Sequence, residues 1–290
     1  MNETANAKCI NIDCKQRMNY LNTILKLLFD KIKKSYFVYS YGYKVLFIFL
    51  STIIFTSTIT SCRKENRNDC ITSTGNEVTV TRPLPFDFTK LIIDRKVDVI
   101  LVQDSTNFAT LTAGENIIDN IVTQQKENNT LRISNDNKCN WVRSFQNKFT
   151  VTLHYKKLQQ IYYTGSGDVT FQNTLITDSL RIDSYSGAGT MHIKIKSSSA
   201  WWNFHTGTTN VKLEGDVGVS YVYDAAVGPL DARDLKTGYT FCTNKGDNDL
   251  YINVGKELGA LVTYTGNVYY TGNPYKVITT TLHTGKVIEF

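Results

Sequence analysis

Proline is scarce, four residues in 290, so few positions interrupt a backbone hydrogen-bond ladder. After residue 82 no window of about 11 to 18 residues carries apolar side chains at helical spacing, which argues against an α-helical body. Cys-x-x-Cys pairs are missing, so a zinc knuckle or thioredoxin-like centre lacks its ligands and thiols. Gly-x-Ser-x-Gly, His-Glu-x-x-His and phosphate-loop patterns are missing too. Excess positive charge is also missing from most of the chain. The formal charge is +6, but residues 1–61 hold eight Lys or Arg against three acids, +5, and the rest holds 24 against 23, +1. A nearly neutral body has no basic stripe to neutralise phosphates, which excludes nucleic acid as a partner. What is present is 17 Tyr among many Thr, Ile and Val, types that fit a pleated, half-buried surface. The length is ample for a core, and an all-β body is expected.

Val45 to Ile59 is an apolar run preceded by Lys31, Lys33, Lys34 and Lys44. It dissolves into Thr56, Ser57, Thr58, Thr60 and Ser61 before reaching the roughly 20 apolar residues of a membrane-spanning helix, so it reads as a signal peptide. Its end, Ile59-Thr60-Ser61-Cys62, resembles the lipobox of bacterial lipoproteins, in which the cysteine receives diacylglycerol and becomes the new N-terminus. The resemblance implies lipidation at Cys62 and a membrane partner through the lipid. Each buried methylene contributes roughly 0.8 kcal/mol, so several acyl chains give a stable tether. Arg63 stands where an Asp tends to retain lipoproteins in the inner membrane of enteric bacteria. The resemblance therefore implies the outer membrane of a Gram-negative cell, periplasmic or surface side. The leader is long, and Met18 is the only other methionine before Cys62. Either translation starts later than residue 1, or Leu21, Ile24, Leu25 and Leu28 mark a short amphipathic surface helix. The expected organisation is a leader over 1–61, the lipidated cysteine with a polar linker over 62–82, and one β-domain over 83–290. Cys70, Cys139 and Cys242 make an odd count beyond Cys62. Cys70 and Cys139 are left open as a disulfide or as separate thiols.

From Phe86 to Ile161 short period-two runs fall at Val97–Val102, Ala109–Thr112, Ile121–Gln125, Thr130–Ser134 and Phe149–Tyr155. Asn128-Asn129 and Asn135-Asp136-Asn137 supply turns. Beyond Tyr162 a repeat begins at Tyr163-Thr164-Gly165, Tyr185-Ser186-Gly187 and His205-Thr206-Gly207. Weaker copies lie near Ala226 and Gly246, and clear ones return at Tyr264-Thr265-Gly266 and His283-Thr284-Gly285. The anchors at 165, 187, 207, 226, 246, 266 and 285 are spaced by about twenty residues. Four residues past the anchor stand Val169, Met191, Val211, Leu230 and Leu250. Stacked copies would set like residues in columns, with Tyr163, Tyr185 and His205 over one another and the aliphatics forming an inner ladder. A right-handed parallel β-helix-like solenoid with about twenty residues per coil, preceded by irregular β coils, is the expected fold. An antiparallel meander or barrel is the competing geometry. Glycine is expected at the corners for its positive φ, and the last two copies, with apolar residues displaced to Val268, Tyr270 and Val287, are expected to leave the coil as a cap.

Residues 86–290 resemble the autotransporter adhesin head domain known as the GIN domain, found in many lipoproteins of Bacteroidetes. Phe88-Thr89-Lys90-Leu91, Val97-Asp98-Val99-Ile100-Leu101, Ala113-Gly114-Glu115-Asn116-Ile117-Ile118, Leu131-Arg132-Ile133, Val151-Thr152-Leu153 and Gly165-Ser166-Gly167-Asp168-Val169 carry the likeness by their order and spacing. It implies a β-helix-like fold, export and lipid anchoring, and it assigns no site residues.

The glycine-rich 165–169 segment resembles one calcium-binding nonapeptide, but the period is about twenty rather than nine, and no metal or cofactor is expected. Asp231-Ala232-Arg233-Asp234 and Asp247-Asn248-Asp249 are the best candidates for paired catalytic carboxylates, and as solvated corners they read more simply. His154, His192, His205 and His283 are scattered. Trp201 and Trp202 are candidate surface contacts, and on one strand only one of them can face outward. Tyr221, Tyr223, Tyr269 and Tyr270 are further platform candidates. These signals point to a non-enzymatic envelope lipoprotein whose β-helical body presents an extended surface for binding, adhesion or scaffolding, its ligand left open between a glycan and an envelope protein, with a carbohydrate-active β-helix enzyme as the alternative.

Overall fold

Period-two alternation of apolar residues is expressed as strands that share one interior. The computed structural model describes residues 73–138 and 148–290. The leader, Cys62, Cys70 and Cys139 lie outside the described residues. The first strands are β1 (Glu77–Pro83), β2 (Lys90–Arg95), β3 (Asp98–Gln103), β4 (Phe108–Gly114), β5 (Ile121–Lys126), β6 (Thr130–Asn135), β7 (Thr150–Tyr155), β8 (Gln160–Gly165) and β9 (Val169–Phe171). Asn128 and Asn129, both at positive φ (57° and 56°), close the β5–β6 hairpin, a conformation Asn tolerates better than most residues.

Chain order and stacking order differ here. β2 pairs in parallel with β6 on one side and β8 on the other, and β3 pairs likewise with β7 and β9. The chain thus lays down the second rung first, doubles back to build the end rung, and then resumes on the far side. The end is finished by antiparallel pairs: β4 on β7, β1 on β4, and β5 on β6. β1 terminates in Pro83, and Arg82 donates to the carbonyls of Ile118 and Ile121. A short edge with a proline and a charge resists further strand pairing.

From β8 onward the rungs follow chain order through β10 (Leu175–Ser184), β11 (Thr190–Phe204), β12 (Asn210–Asp224), β13 (Leu230–Asn244), β14 (Leu250–Val262), β15 (Val268–Thr271), β16 (Lys276–Thr281) and β17 (Val287–Glu289). All pairings in this stretch are parallel. The result is an all-β solenoid of about six turns with roughly 20 residues per turn, and the antiparallel alternative is set aside. Val169, Met191, Val211, Leu230, Leu250 and Val268 lie in register as the inner ladder. In β11, residues 191, 193 and 195 are buried, then 200, 202 and 204. Alternation therefore changes phase over 196–199, where the strand turns from one face of the coil to the other while still feeding one core.

Three expectations change. Tyr163 pairs with Ser184 rather than Tyr185 and is buried, its hydroxyl donating to Gly167 O at 2.6 Å. On the upstream side of Tyr185 the ring is Tyr162, tilted at 5.5 Å, because a one-residue slip sends a side chain to the opposite face; the expected stack of Tyr185 on His205 is present. Positive φ is not the general reason for the corner glycines. Gly207 has it (111°), but at Gly266 the constraint is the next coil, since a Cβ there would lie 2.1 Å from Asn248 O. The last copies do not leave the coil either: β15 and β17 continue the ladder, Leu250 to Val268 to Val287. Shorter steps absorb the displaced apolar positions.

Candidate binding groove

Inward residues on the strand segments 200–204, 220–224, 240–244 and 258–262 include Trp202, Val222, Cys242 and Ala260. Their neighbours must then face outward, and register sets these in two columns. One runs Arg181, Trp201, Tyr221, Phe241, Gly259 and Ile278. The other runs Asp183, Asn203, Tyr223, Thr243, Leu261 and Thr280. Between them lies a shallow groove of about 440 Å³. Adjacent rungs are about 4.8 Å apart, and the groove follows the stacking direction across five rungs, from Asn203 to Thr280.

Trp201 and Tyr221 stack at 5.3 Å and 8°, and Tyr221 and Phe241 at 5.7 Å and 25°. Such contacts add about 0.5–1.5 kcal/mol beyond area burial. The ladder stops at Gly259. A Cβ there would meet the Phe241 ring at 2.8 Å, so the glycine admits the leaning ring and opens the groove beyond it. Tyr221 and Phe241 remain 38% and 39% exposed, large for aromatics backed by neighbours of their own kind.

A polar cluster stands at the upstream end. Arg181 donates twice to Asp183 at 2.8 Å, and Asn203 Nδ2 donates to Asp183 Oδ1 at 3.0 Å. Burial works to raise the Asp183 pKa, but hydrogen bonds from Arg181, Asn203 and Gln160 outweigh it and hold the carboxyl below its ordinary value. At the flank, Tyr185 stacks on His205 at 4.2 Å, and Lys245 Nζ lies 5.4 Å from the Tyr223 ring centre. Cys242 backs the groove, buried and with its thiol pushed up to about 12 by desolvation; a thiol so protonated is a poor nucleophile.

Of the two tryptophans expected as surface contacts, Trp202 is in the core, its Nε1 donating to Ser220 Oγ at 3.1 Å. Alternation leaves Trp201 as the outward one. Tyr221 and Tyr223 reach the groove. Tyr269 lies elsewhere, stacked on Tyr251 at 5.1 Å, and Tyr270 is half-buried against the core. Phe241 escaped notice in the sequence, although the twenty-residue steps 201, 221, 241 and 203, 223, 243 carry the signal.

The acidic candidates are used as ties. Asp231 pairs with Arg233 at 2.5 Å, and Asp234 with Lys212 at 3.3 Å. Asp247 accepts from the Thr265 hydroxyl at 2.6 Å, Asp249 from Asn267 N at 2.8 Å, and Asp168 from Thr190 N at 2.9 Å. Among the described residues no group of three or more His, Cys, Asp or Glu is gathered as for a metal ion. His192 lies away from the groove, on another outward face in a column with Lys212 and Asp231, 2.7 Å from Glu214.

This chain matches, over residues 87–274, the family model described as "Putative auto-transporter adhesin, head GIN domain"; it belongs to that family. Among solved structures it is similar to a putative adhesin from Bacteroides fragilis, with 25% identity, a TM-score of 0.68, and coverage of 74% of this chain and 97% of that one. A putative adhesin from Parabacteroides merdae is 19% identical, with a TM-score of 0.56 and coverage of 75% and 98%. A protein from Parabacteroides distasonis titled a putative lipid binding protein is 16% identical, with a TM-score of 0.59 and the same coverage. These last two share the fold. No curated protein matches.

Proposed function

We propose that this chain is a cell-envelope lipoprotein, lipid-anchored at Cys62 in the outer membrane, whose solenoid presents a non-catalytic, adhesin-like binding face. The observation that carries the binding reading is the groove beside Trp201, Tyr221 and Phe241: exposed aromatics in register across successive rungs, with no Asp or Glu in the lining. Glycoside hydrolysis needs a pair of carboxylates about the scissile bond, so this lining favours retention of a ligand over its cleavage. The family description supports the same role. The reading assigns no cofactor and no nucleic-acid partner; its partners are the membrane, through the lipid, and a glycan or envelope protein.

Two experiments test it. Replacing Cys62 with Ser is expected to move the protein from the outer-membrane fraction to the soluble envelope fraction; retention would instead make Val45 to Ile59 the anchor. Phe241→Ala is expected to reduce capture of envelope material by the purified full chain, and unchanged capture would remove the groove from the reading.

A further inference from the structure

We propose that the groove takes a neutral glycan chain lying along the stacking direction of the coils. This rests on the binding reading above and adds the chemistry of the ligand. Charge is the first argument. The lining residues are uncharged, the nearby Asp183 is neutralised by Arg181, and the cation of Lys245 stands at the flank over Tyr223, outside the lining. A lining without charge offers neither polyanions nor polycations a row of ionic partners.

The second argument is the mixture of groups. Tyr221, Phe241 and Ile278 give apolar surface along one column, while Asn203, Tyr223, Thr243 and Thr280 place hydroxyls and an amide along the other, interrupted only by Leu261. The Asn203 amide is fixed in orientation by its bond to Asp183. Sugar rings match such a lining, because they carry apolar C–H faces edged with hydroxyls. An acyl chain would leave the hydroxyl column desolvated and unpaired.

Backbone use is the third. β12, β13 and β14 each pair on both sides, so their N–H and C=O groups cannot accept an extended peptide as an added strand. The ligand must bind through side chains. The backbone behind the groove repeats by translation, rung after rung, and so sets outward side chains at regular intervals; a polymer with its own translational repeat can engage several together.

The test is calorimetric titration of the full chain with neutral polysaccharides (glucan, mannan, xylan and galactan), with polygalacturonate as an acidic polymer and with phosphatidylcholine vesicles. Expected is saturable binding to at least one neutral polymer, unchanged by added salt, weakened about tenfold or more by Phe241→Ala, which corresponds to about 1.4 kcal/mol. Thr243→Trp, which fills the groove without removing a ring, should weaken it similarly, and Lys212→Ala should leave it unchanged. Thermal unfolding of each variant separates lost binding from lost fold. Binding only to polygalacturonate, only to vesicles, or to none of the panel overturns the glycan assignment. If the groove variants nevertheless lose capture of envelope material, the binding reading stands with another ligand; if they keep it, both readings fall.

Discussion

On one outward face the successive rungs carry Trp201, Tyr221 and Phe241; on the other they carry His192, Lys212 and Asp231 in one column. Both faces are produced by the same alternation over the same core, yet they are filled with opposite chemistry. The charged face satisfies itself laterally: Lys212 lies 2.9 Å from Glu214 and 3.3 Å from Asp234, and Arg233 caps the Tyr251 ring at 5.0 Å. Beyond the Arg181–Asp183 pair at its end, the aromatic face satisfies itself along its columns, ring on ring, and leaves a groove open to solvent. The difference teaches that register fixes the interior of a solenoid, while each outward column is free to become a closed ionic ladder or an open binding surface.

The comparison is broken most severely from within. Trp202→Ala should cost about 3–5 kcal/mol, a large cavity in a packed core, and it also strips Ser220 Oγ of its partner. Trp201→Ala, one residue away on the outward face, should cost about 1 kcal/mol, the scale of a lost stack; urea unfolding of the two variants side by side measures the contrast. Gly266→Ala should cost about 1–3 kcal/mol by forcing apart two coils on which both faces depend, seen as a lowered unfolding midpoint.

A corner residue that belongs to neither face sharpens the picture. Asp224 is buried, accepts Ala226 N at 2.9 Å, and has its pKa raised to about 6 by desolvation. One coil on, Asn244 accepts Gly246 N at 2.9 Å. The Asp224 carboxyl binds its proton more tightly folded than unfolded, so its penalty is absent below about pH 4 and grows as pH rises through about 6. Asp224→Asn should therefore stabilise the protein at pH 8 by about 1–3 kcal/mol, with the gain vanishing near pH 4 in thermal melts. The smallest effect is expected on the charged face. Lys212→Ala should leave the unfolding midpoint within error at moderate salt, because exposed ion pairs are screened.

Much of this architecture is legible in the chain. Twenty-residue spacing and the aliphatics from Val169 to Leu250 lead to the solenoid, because an inner ladder needs one apolar residue at the same place in every coil. The strand runs at 97–102, 121–125 and 130–134 coincide closely with β3, β5 and β6. The insertion of β2 and β3 between two later rungs is not legible: Lys90 meets Gln160 across seventy residues, and a pairing that remote leaves no local pattern. The pairing of Tyr163 with Ser184 is hidden for a related reason. The step from 165 to 187 is longer than its neighbours, and the anchors do not say where in the coil the extra residues fall. The groove needs the register of five coils at once, which explains why Trp201 and Tyr221 stood out while Phe241 and Gly259 did not.

Footprinting of the full chain by hydroxyl radicals, with and without bound envelope polysaccharide, tests the division between the two faces most directly. Protection of Tyr221, Tyr223 and Phe241, with His192 and Tyr251 unchanged, is the predicted result. Protection of His192 and Tyr251 with the groove aromatics unchanged would contradict it.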